Sequence, residues 1–512
     1  ALSLREFLHS QRNRVYSREP GGLVRRASLI ARARPGISCL RCRHAMPRCL
    51  CECPRPQREH DGAVPGFRSG ETHDHPPRRR RFHQTSGLPT WDEFAARLLH
   101  MSGSVSSLGA AELLVAHQDP LLVAEAARAA AGDRWEQILR RALYEGVQEL
   151  DVSSLHLAAV GHLLTGASED TKLVTLNFDT LLEQAIESEK ALMVPVVDGD
   201  AVTNQVHHLH GVIALDRVDD VVLTLTDFTD LVSRENSWQL DLLRDSIARG
   251  ALIIAGTSYR DPDLRQWLHT VLAQRPERHA AVVLLARQGF ALSKDDFSAI
   301  ERALVDQWKS VGMRPVLLQD HSDAAQIIRE LRHVNKADYV SPQQRARLVW
   351  EAHATEFARL QRRYSDQLAM DAEVLRNSLT ADRLNLTLWL ADGEGGIARW
   401  ATQDRYYRSV TDLRVVETGH DSRWIAGRAL GSESVLFKNV EDGFTVRWRS
   451  VLALSIPVQM ESWPPIATAV LSVGLPDLAR TYESSTLLWS EALAGIADDW
   501  STRLVEALYG QI

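Results

Sequence analysis

Polar side chains follow three apolar runs of this sequence, in an order that could assemble one reaction site. Leu173–Leu176 leads into Asn177 and Asp179, which offer an amide and a carboxylate. Residues 207–211 read His-His-Leu-His-Gly, and an imidazole with a pKa of about 6.5 suits proton transfer near neutral pH. Residues 252–258 end in a glycine and two hydroxyls. Because buried parallel strands present functional groups at their carboxyl ends, we expect the three segments to meet there.

Each segment also has a plainer interpretation. An Asn-x-Asp after a strand commonly caps a helix. The three histidines could form a metal cluster, although the flanking Leu209 and Val212 favour a strand end with one inward histidine. Gly-Thr-Ser before Asp-Pro is typical of a turn. The combination, rather than any one segment, favours a functional site.

The elements around these segments alternate between helix and strand. Residues 92–100 carry a helical apolar face with Thr90 as its N-cap, and further helices are expected at 121–131 and 135–147. Strands are predicted at Leu173–Leu176, Val221–Thr224, Leu252–Ala255, Ala281–Ala286 and Arg314–Leu318. Strands alternating with helices predict an α/β fold with a parallel sheet covered on both faces.

The motifs of residues 85–335 resemble, in order and spacing, the SIR2-like domains of bacterial NAD hydrolases, several of which serve in defence against phage. The resemblance implies a Rossmann-like sheet, NAD as the substrate and a catalytic histidine before a glycine. The segments that carry it are Gly87-Leu-Pro-Thr-Trp-Asp92, Thr175-Leu-Asn-Phe-Asp179, His208-Leu-His-Gly211, Leu225-Thr-Asp-Phe228 and Gly256-Thr-Ser-Tyr-Arg-Asp-Pro262.

The resemblance also implies roles for individual residues. His210 is the implied general base, and Asn177 the implied residue that holds the nicotinamide ribose or the attacking water. Asp179 is expected near the nicotinamide carboxamide or bracing the loop. No metal ion is expected at this site. The expected cofactor-binding residues are Thr175, Asp179, Gly256, Thr257, Ser258, Gly87 and Pro89.

Two departures from the family pattern affect the expected function. No cysteine follows Cys53, so the paired Cys-x2-Cys zinc ribbon of sirtuin deacylases is missing and a protein deacylase is disfavoured. The strand ending in Gly-Ala-Gly-x-Ser that normally precedes the Gly-Leu-Pro segment is also missing before Ser86. We therefore expect the first strand and its phosphate loop to be absent. That loss keeps open a second hypothesis, a non-catalytic nucleotide-binding or signalling protein.

Residues 1–84 differ in composition from the rest of the chain. They hold 18 Arg, no Lys and 7 acidic residues, although the whole chain has a net charge of -7. So basic and proline-rich a segment is expected to be largely disordered. It contains all five cysteines, from Cys39 to Cys53, which we interpret as incidental in preference to a zinc site because their spacing is irregular.

The composition excludes several classes of protein. No apolar run approaches the roughly 18 to 20 residues that cross a bilayer, and the start of the sequence lacks the apolar core of a secretory signal. The net acidic charge gives no strong case for nucleic-acid binding. We expect a cytoplasmic protein without a membrane partner.

The remainder of the chain predicts a second module. Residues 336–380 are expected to form a connecting helix that either pairs with its copy in a dimer or packs on its own chain. Residues 381–512 resemble a GAF domain, a sensory α+β fold with a central antiparallel sheet. The segments that carry this resemblance are Gly427–Gly431, Arg449–Val458 and Ala467–Val473.

The two resemblances together predict a SIR2-like NAD hydrolase joined to a GAF-type sensor, with a role in antiphage defence. A small-molecule ligand at the GAF-like domain and a purely dimerising role for it are both open, and we expect a homo-oligomer.

Overall fold

The structure, a computed structural model, describes most of the chain beyond residue 86. The expected disorder of the first 84 residues and the cysteine cluster lie outside the described residues, with the exception of one strand. The described residues are 26–31, 87–147, 152–165, 171–193, 206–233, 237–256, 262–272, 280–440 and 447–510.

An α/β module occupies the chain as far as Glu330. In chain order its elements are β1 (Arg26–Ala31), α1 (Trp91–Ser102), α2 (Leu108–His117), α3 (Pro120–Ala131), α4 (Trp135–Tyr144), α5 (Ser154–Leu164), β2 (Thr171–Thr175), α6 (Leu181–Met193), β3 (Val206–His208), β4 (Val212–Ile213), β5 (Val218–Asp219), α7 (Leu225–Ser233), α8 (Trp238–Arg249), β6 (Gly250–Ala255), α9 (Pro262–Leu272), β7 (Ala280–Ala286), α10 (Arg287–Phe290), α11 (Lys294–Ser310), β8 (Arg314–Leu318) and α12 (His321–Glu330).

Six of these strands form one parallel sheet. Their order is β3-β2-β1-β6-β7-β8, and every described pairing is parallel. Apolar clusters cover both faces of the sheet: one contains residues of α8 and α9, and the other contains residues of α5, α6 and α12. A parallel sheet needs cover on both faces because its strands are apolar on both sides. The predicted α/β fold class is confirmed.

The central strand β1 corrects the expectation that the first strand is absent. Its backbone pairs in parallel with β2, from Ala27 opposite Thr171 onward, and with β6 on its other side. Without it, the facing edges of β2 and β6 would leave a row of unpaired backbone groups inside the sheet. The strand lies far upstream of Gly87 in the sequence. The family pattern places it immediately before the Gly-Leu-Pro segment.

The prediction of a strand at Val221–Thr224 is wrong. The chain there leads into α7 instead, and Thr224 and Asp227 cap that helix reciprocally. The Thr224 amide donates to the Asp227 carboxylate over 3.1 Å, and the Asp227 amide donates to the Thr224 hydroxyl over 3.2 Å. Leu223 is buried, so the apolar run serves packing against the helices and not pairing within the sheet.

Helices α1 to α4 form a separate cluster beside the sheet. Thr90 caps α1, as predicted, in a capping box with Glu93. The predicted helices at 121–131 and 135–147 are α3 and α4. Their buried side chains pack with Leu181 and Ile213, so this cluster lies directly against the loops that follow β2 and β3.

The C-terminal module follows Ser341. Its elements are α13 (Pro342–Thr355), α14 (Phe357–Leu379), β9 (Asn385–Ala391), β10 (Gly396–Thr402), β11 (Val415–Glu417), α15 (Ile425–Ser432), β12 (Leu436–Asn439), β13 (Ser450–Val458), β14 (Ile466–Leu475) and α16 (Thr486–Leu508).

This module is built on an antiparallel sheet with the order β11-β10-β9-β14-β13-β12. One face packs against α13, α14 and α16, and the other packs against α15. The architecture is compatible with the predicted GAF-like α+β fold.

The segment expected as one connecting helix is two helices, α13 and α14. Leu360, Tyr364 and Leu368 of α14 are almost fully buried in the core of the C-terminal module. Of the two interpretations that the sequence leaves open, the structure therefore shows this segment packing on its own chain.

Buried and partly buried ion pairs join the two modules. The Arg287 guanidinium is buried and donates to both carboxylate oxygens of Asp421 over 2.8 Å, which lowers the pKa of Asp421. Asp320 accepts from the His420 ring nitrogen over 2.5 Å. Arg329 pairs with Glu433. Pairs of oppositely charged side chains therefore fix the junction between the two modules.

None of the helices in the described stretches is both long and apolar enough to span a lipid bilayer.

The buried pair of Arg345 and Glu330 gives a stability prediction. Both side chains are at most 1% exposed, and Arg345 also donates to the Pro464 carbonyl over 2.5 Å. Glu330→Ala leaves a buried guanidinium without its carboxylate, which typically costs about 3–5 kcal/mol. We expect chemical denaturation to show that loss in the free energy of unfolding.

Glu373→Ala is the matched control, because Glu373 pairs with Arg376 on an exposed face of α14. Exposed pairs contribute about 0–1 kcal/mol, so the control should unfold close to wild type. Equal losses in the two variants would contradict a structural role for the buried pair.

Candidate functional site

The loop after β2 holds the first group of candidate residues. Thr175 is buried at the end of the strand, and its hydroxyl accepts a hydrogen bond from the Asn177 amide over 3.0 Å. Asn177 is half-buried. The bond from strand end to loop fixes where the chain leaves the sheet, so that Asn177 lies at the carboxyl edge, as predicted.

Asp179 lies in the same loop and caps the helix that follows. Its carboxylate accepts from the Leu181 amide over 3.1 Å at the start of α6. Burial raises the pKa of Asp179, against the lowering effect of that hydrogen bond. The helix-capping interpretation of the Asn-x-Asp motif therefore holds for this residue, which braces the loop.

His208 ends β3 and contacts the loop after β2. Its Nδ1 lies 3.1 Å from the Asn177 carbonyl oxygen, and its Nε2 lies 2.7 Å from the Glu183 carboxylate. Burial alone would lower the pKa of His208, but the hydrogen bond and charge of Glu183 raise it overall. Because both ring nitrogens face acceptors, the protonated ring satisfies both of them.

His210 lies two residues further on and is buried. Its ring centroid is 6.4 Å from the Phe178 ring and 5.7 Å from the Trp267 ring. Its carbonyl accepts from the Val222 amide over 2.9 Å. The imidazole therefore lies in an aromatic environment next to the loop that carries Asn177.

Aromatic packing also brings the Gly87–Pro89 segment to this edge. Trp91 begins α1 directly after that segment, and its ring stacks on Phe178 with centroids 6.3 Å apart. Gly87 is exposed with a φ of 72°, and Pro89 is partly buried. The rings of Trp91, Phe178 and His210 thus form a continuous layer across three segments of the sequence.

Of the Gly256-Thr-Ser turn in the third segment, only Gly256 is described. Gly256 directly follows β6, is buried and has a φ of 73°. Gly256 lies at the carboxyl edge of the sheet because it directly follows the last residue of the parallel strand β6. A glycine adopts this positive φ without strain. Thr257 and Ser258 lie outside the described residues.

Three residues that contact the site were not predicted from the sequence. They are Glu183, Trp267 and Gln239. The Gln239 amide donates to the Leu209 carbonyl over 3.3 Å and so supports the histidine segment. Glu183 had a weak signal, since it lies in the first turn of the helix after Asn-x-Asp. No feature of the sequence indicates Trp267, because it lies on α9, the helix that follows β6. In the described part of the chain, no three His, Cys, Asp or Glu residues form a group that could hold a metal ion.

Comparison with known families points to this same region. Residues 171–316 match the family model of the SIR2-like domain. The matched stretch runs from β2 into β8 and contains the Asn177 loop, His208, His210 and Gly256. A search of the curated proteins found no match.

A solved structure, described as a putative GAF sensor protein from Burkholderia vietnamiensis, is similar at 15% identity with a TM-score of 0.18. The match covers 33% of this chain and 96% of that one. At this TM-score the likeness carries no argument about the fold or function of the C-terminal module.

Gly211 gives a prediction for the region that matches the SIR2-like domain model. Its φ is 79°, and a Cβ at this position would lie 2.2 Å from the Asp220 carbonyl oxygen. Gly211→Ala should therefore displace the histidine segment and lower the melting temperature by several degrees or more. Gly109→Ala is the control, because Gly109 lies in α2 with nothing within 4 Å of the added carbon.

The control should equal or slightly exceed wild type in stability, since alanine is favoured over glycine in helices. Equal melting temperatures for wild type and Gly211→Ala would contradict the close approach of Gly211 and Asp220.

The His208–Glu183 pair predicts a pH-dependent stability. Because the folded-state pKa of His208 is raised, its protonation stabilises the fold fully below the unfolded value of about 6.5. That contribution is lost as the pH rises through the folded-state pKa. Repulsion between the Asp179 and Glu183 carboxylates acts in the same direction.

The measurement is the free energy of unfolding of wild type and Glu183→Gln between about pH 5.5 and about pH 8.5. We expect wild type to exceed the variant most at the acidic end and the difference to shrink with rising pH. A difference that stays constant or grows toward alkaline pH would show that the pair does not hold a proton in the folded state.

Proposed function

We propose that this protein hydrolyses NAD to nicotinamide and ADP-ribose. The observation that carries the proposal is the meeting of the Asn177 loop and the His208–His210 segment at the carboxyl ends of adjacent parallel strands. This arrangement lies inside the stretch that matches the SIR2-like domain model. Ligands of open α/β sheets bind at that edge.

The proposed reaction breaks the bond between the nicotinamide nitrogen and C1′ of its ribose. Nicotinamide leaves as a neutral molecule with the bonding electron pair, and the oxygen of one water bonds to C1′. His210 accepts the proton of that water, and Asn177 orients the ribose or the water through its side-chain amide. Little nucleophilic power is required, because the departing pyridinium is already cationic.

The remaining contacts support positioning of the proposed catalytic groups. The ring of His208 contacts the Asn177 carbonyl and is itself held by Glu183, and Asp179 fixes the start of α6. His210 is buried beside the rings of Phe178 and Trp267, so little of it is open to bulk water. In this proposal the positioning residues are His208, Glu183 and Asp179. The residues that contribute to NAD binding are Thr175, Gly256, Thr257, Ser258, Gly87 and Pro89.

The C-terminal module is proposed to be a GAF-type sensory or dimerising unit that controls hydrolysis, in a cytoplasmic homo-oligomer that acts in antiphage defence. The antiparallel sheet with helices on both faces supports a GAF-type unit, and the ion pairs that fix it to the α/β module support its control of hydrolysis.

A second candidate function is nucleotide binding without turnover. It is supported by one feature of the sequence: Arg26–Ala31 is followed by Arg-Ala-Arg-Pro-Gly and not by a Gly-Ala-Gly phosphate loop. A protein deacylase is less well supported, because the matched region contains no cysteine for a zinc ribbon.

Release of nicotinamide from NAD by the full chain tests the proposal. We expect His210→Ala to lower the rate about 10²–10⁴-fold, the usual contribution of a general base, and Asn177→Ala to lower it strongly as well. His117→Ala should retain wild-type activity, because His117 is an exposed histidine at the end of α2.

Two outcomes would contradict the hydrolase. The first is NAD binding by wild type with no nicotinamide release, which would favour the non-catalytic candidate. The second is a folded His210→Ala variant with wild-type activity, which would remove His210 from the reaction.

A further inference from the structure

A large cleft lies between the two modules, and none of its described lining residues belongs to the proposed NAD site. It encloses about 1210 Å³, which exceeds the usual 300–1,000 Å³ of small-molecule pockets. The α/β module contributes residues of α5 and Arg329, and the segment between the two modules contributes Arg332, His333 and Lys336. The C-terminal module contributes residues 432–438 and parts of the stretch from Leu454 to Ala467.

The charged side chains of the cleft are mostly basic. Arg329, Arg332, Lys336 and Lys438 line it, and Glu433 is the one acidic residue among the described lining residues. Glu433 is already paired with Arg329. Three cationic groups therefore face the cleft without a carboxylate among its described lining residues.

The histidines of the cleft add no charge near neutral pH. Burial and the neighbouring Arg332 lower the pKa of His162 to about 4. Burial and Lys336 also lower the pKa of His333. The positive potential of the cleft thus comes from arginine and lysine alone.

Lys438 is the most informative of the basic residues. It lies on β12, where its backbone pairs with Val451, and its side chain is half-buried. Burial and the nearby Arg428 lower its pKa to about 8, with no acidic residue acting in the opposite direction. A desolvated ammonium held next to another cation costs free energy, which an anionic ligand would recover.

Apolar and hydroxyl groups complete the lining. Leu157 and Val435 are 38% and 50% exposed, and Leu436, Leu454 and Ala467 continue the apolar surface. Hydroxyls come from Ser153, Ser154, Ser432, Ser434 and Ser455, among others. An apolar wall beside cations and hydroxyls suits a molecule that joins a ring to an anionic group.

The opposite part of the same sheet face is closed. Beneath α15, Trp389, Ile397 and Ala453 pack with Ala426, Ala429 and Val470 in a buried apolar cluster. The cleft lies at the β12–β13 edge of this layer, where the α/β module supplies the second wall.

We propose that this cleft binds a phosphorylated ring compound of the nucleotide class, with Lys336 and Lys438 contacting the phosphate and the apolar wall contacting the ring. The C-terminal module supplies Lys438, and the segment that leaves the α/β module after α12 supplies Lys336, so the site requires the junction of the two modules. It shares no described lining residue with the proposed NAD site, so it goes beyond the proposed hydrolysis.

Isothermal titration of the full chain with AMP tests the proposal. Adenosine and inorganic pyrophosphate are the half-probes, since each lacks one of the two recognised groups. We expect AMP to bind more tightly than either. The double variant Lys336→Gln/Lys438→Gln should weaken AMP binding by on the order of tenfold or more, because charge-assisted hydrogen bonds are lost.

Three further variants sharpen the test. Lys309→Gln removes an equal charge from an exposed position at the end of α11 and should leave AMP binding unchanged. The single variant Lys438→Arg retains the positive charge. With Lys336 unchanged, it should keep most of the wild-type affinity for AMP. Lys336→Gln alone tests the exposed lysine if the double variant is unstable. Arg332 is left in place, because it donates to the His162 carbonyl and supports α5.

The proposal is overturned if AMP does not bind, if adenosine or pyrophosphate binds as tightly as AMP, or if a folded lysine variant binds AMP like wild type. An affinity that falls in Asn177→Ala but not in the lysine variants would place AMP at the NAD site and also overturn it. None of these titrations requires turnover, so their result is independent of whether NAD is hydrolysed.

Discussion

The site depends on the parallel contact between the ends of β2 and β3. That contact continues past the strands, since the Leu209 amide donates to the Thr175 carbonyl over 2.9 Å. His208 then reaches the Asn177 carbonyl, and the Ile213 amide donates to the Phe178 carbonyl over 2.8 Å. These bonds hold two loops together that are some thirty residues apart in sequence. Every proposed catalytic role follows from this proximity, because general base and ribose-binding groups act only when both reach the same bond.

Charge burial explains why the contact is specific as well as close. The ring of His208 faces a carbonyl on one side and the Glu183 carboxylate on the other, so a shift of either loop would leave a buried polar group unsatisfied. The junction between the modules follows the same rule. Arg287 and Arg345 are buried, and each has a carboxylate partner that fixes one relative placement of the neighbouring elements. In both places a buried charge contributes specificity of arrangement.

The sequence predicts the regular parts of the protein for identifiable reasons. Apolar runs of four to six residues located β2, β6, β7 and β8, and Thr90 as a predicted N-cap located the start of α1. The meeting of Asn177 with the histidine segment followed from strand ends alone. What the sequence could not predict depends on contacts between distant segments. β1 is recognised only by the gap that it fills between β2 and β6 in the sheet. The apolar run at Val221 packs against helices and does not pair with a strand of the sheet. Trp267 approaches His210 from a separate helix.

A crystal structure of the His210→Ala variant with NAD bound tests the central claim most directly. The account predicts that C1′ of the nicotinamide ribose lies at the carboxyl edge of β2 and β3, with the Asn177 side chain in hydrogen-bond contact with that ribose or with a water on its far face. NAD bound with its nicotinamide ribose away from Asn177 and residue 210 would contradict the account.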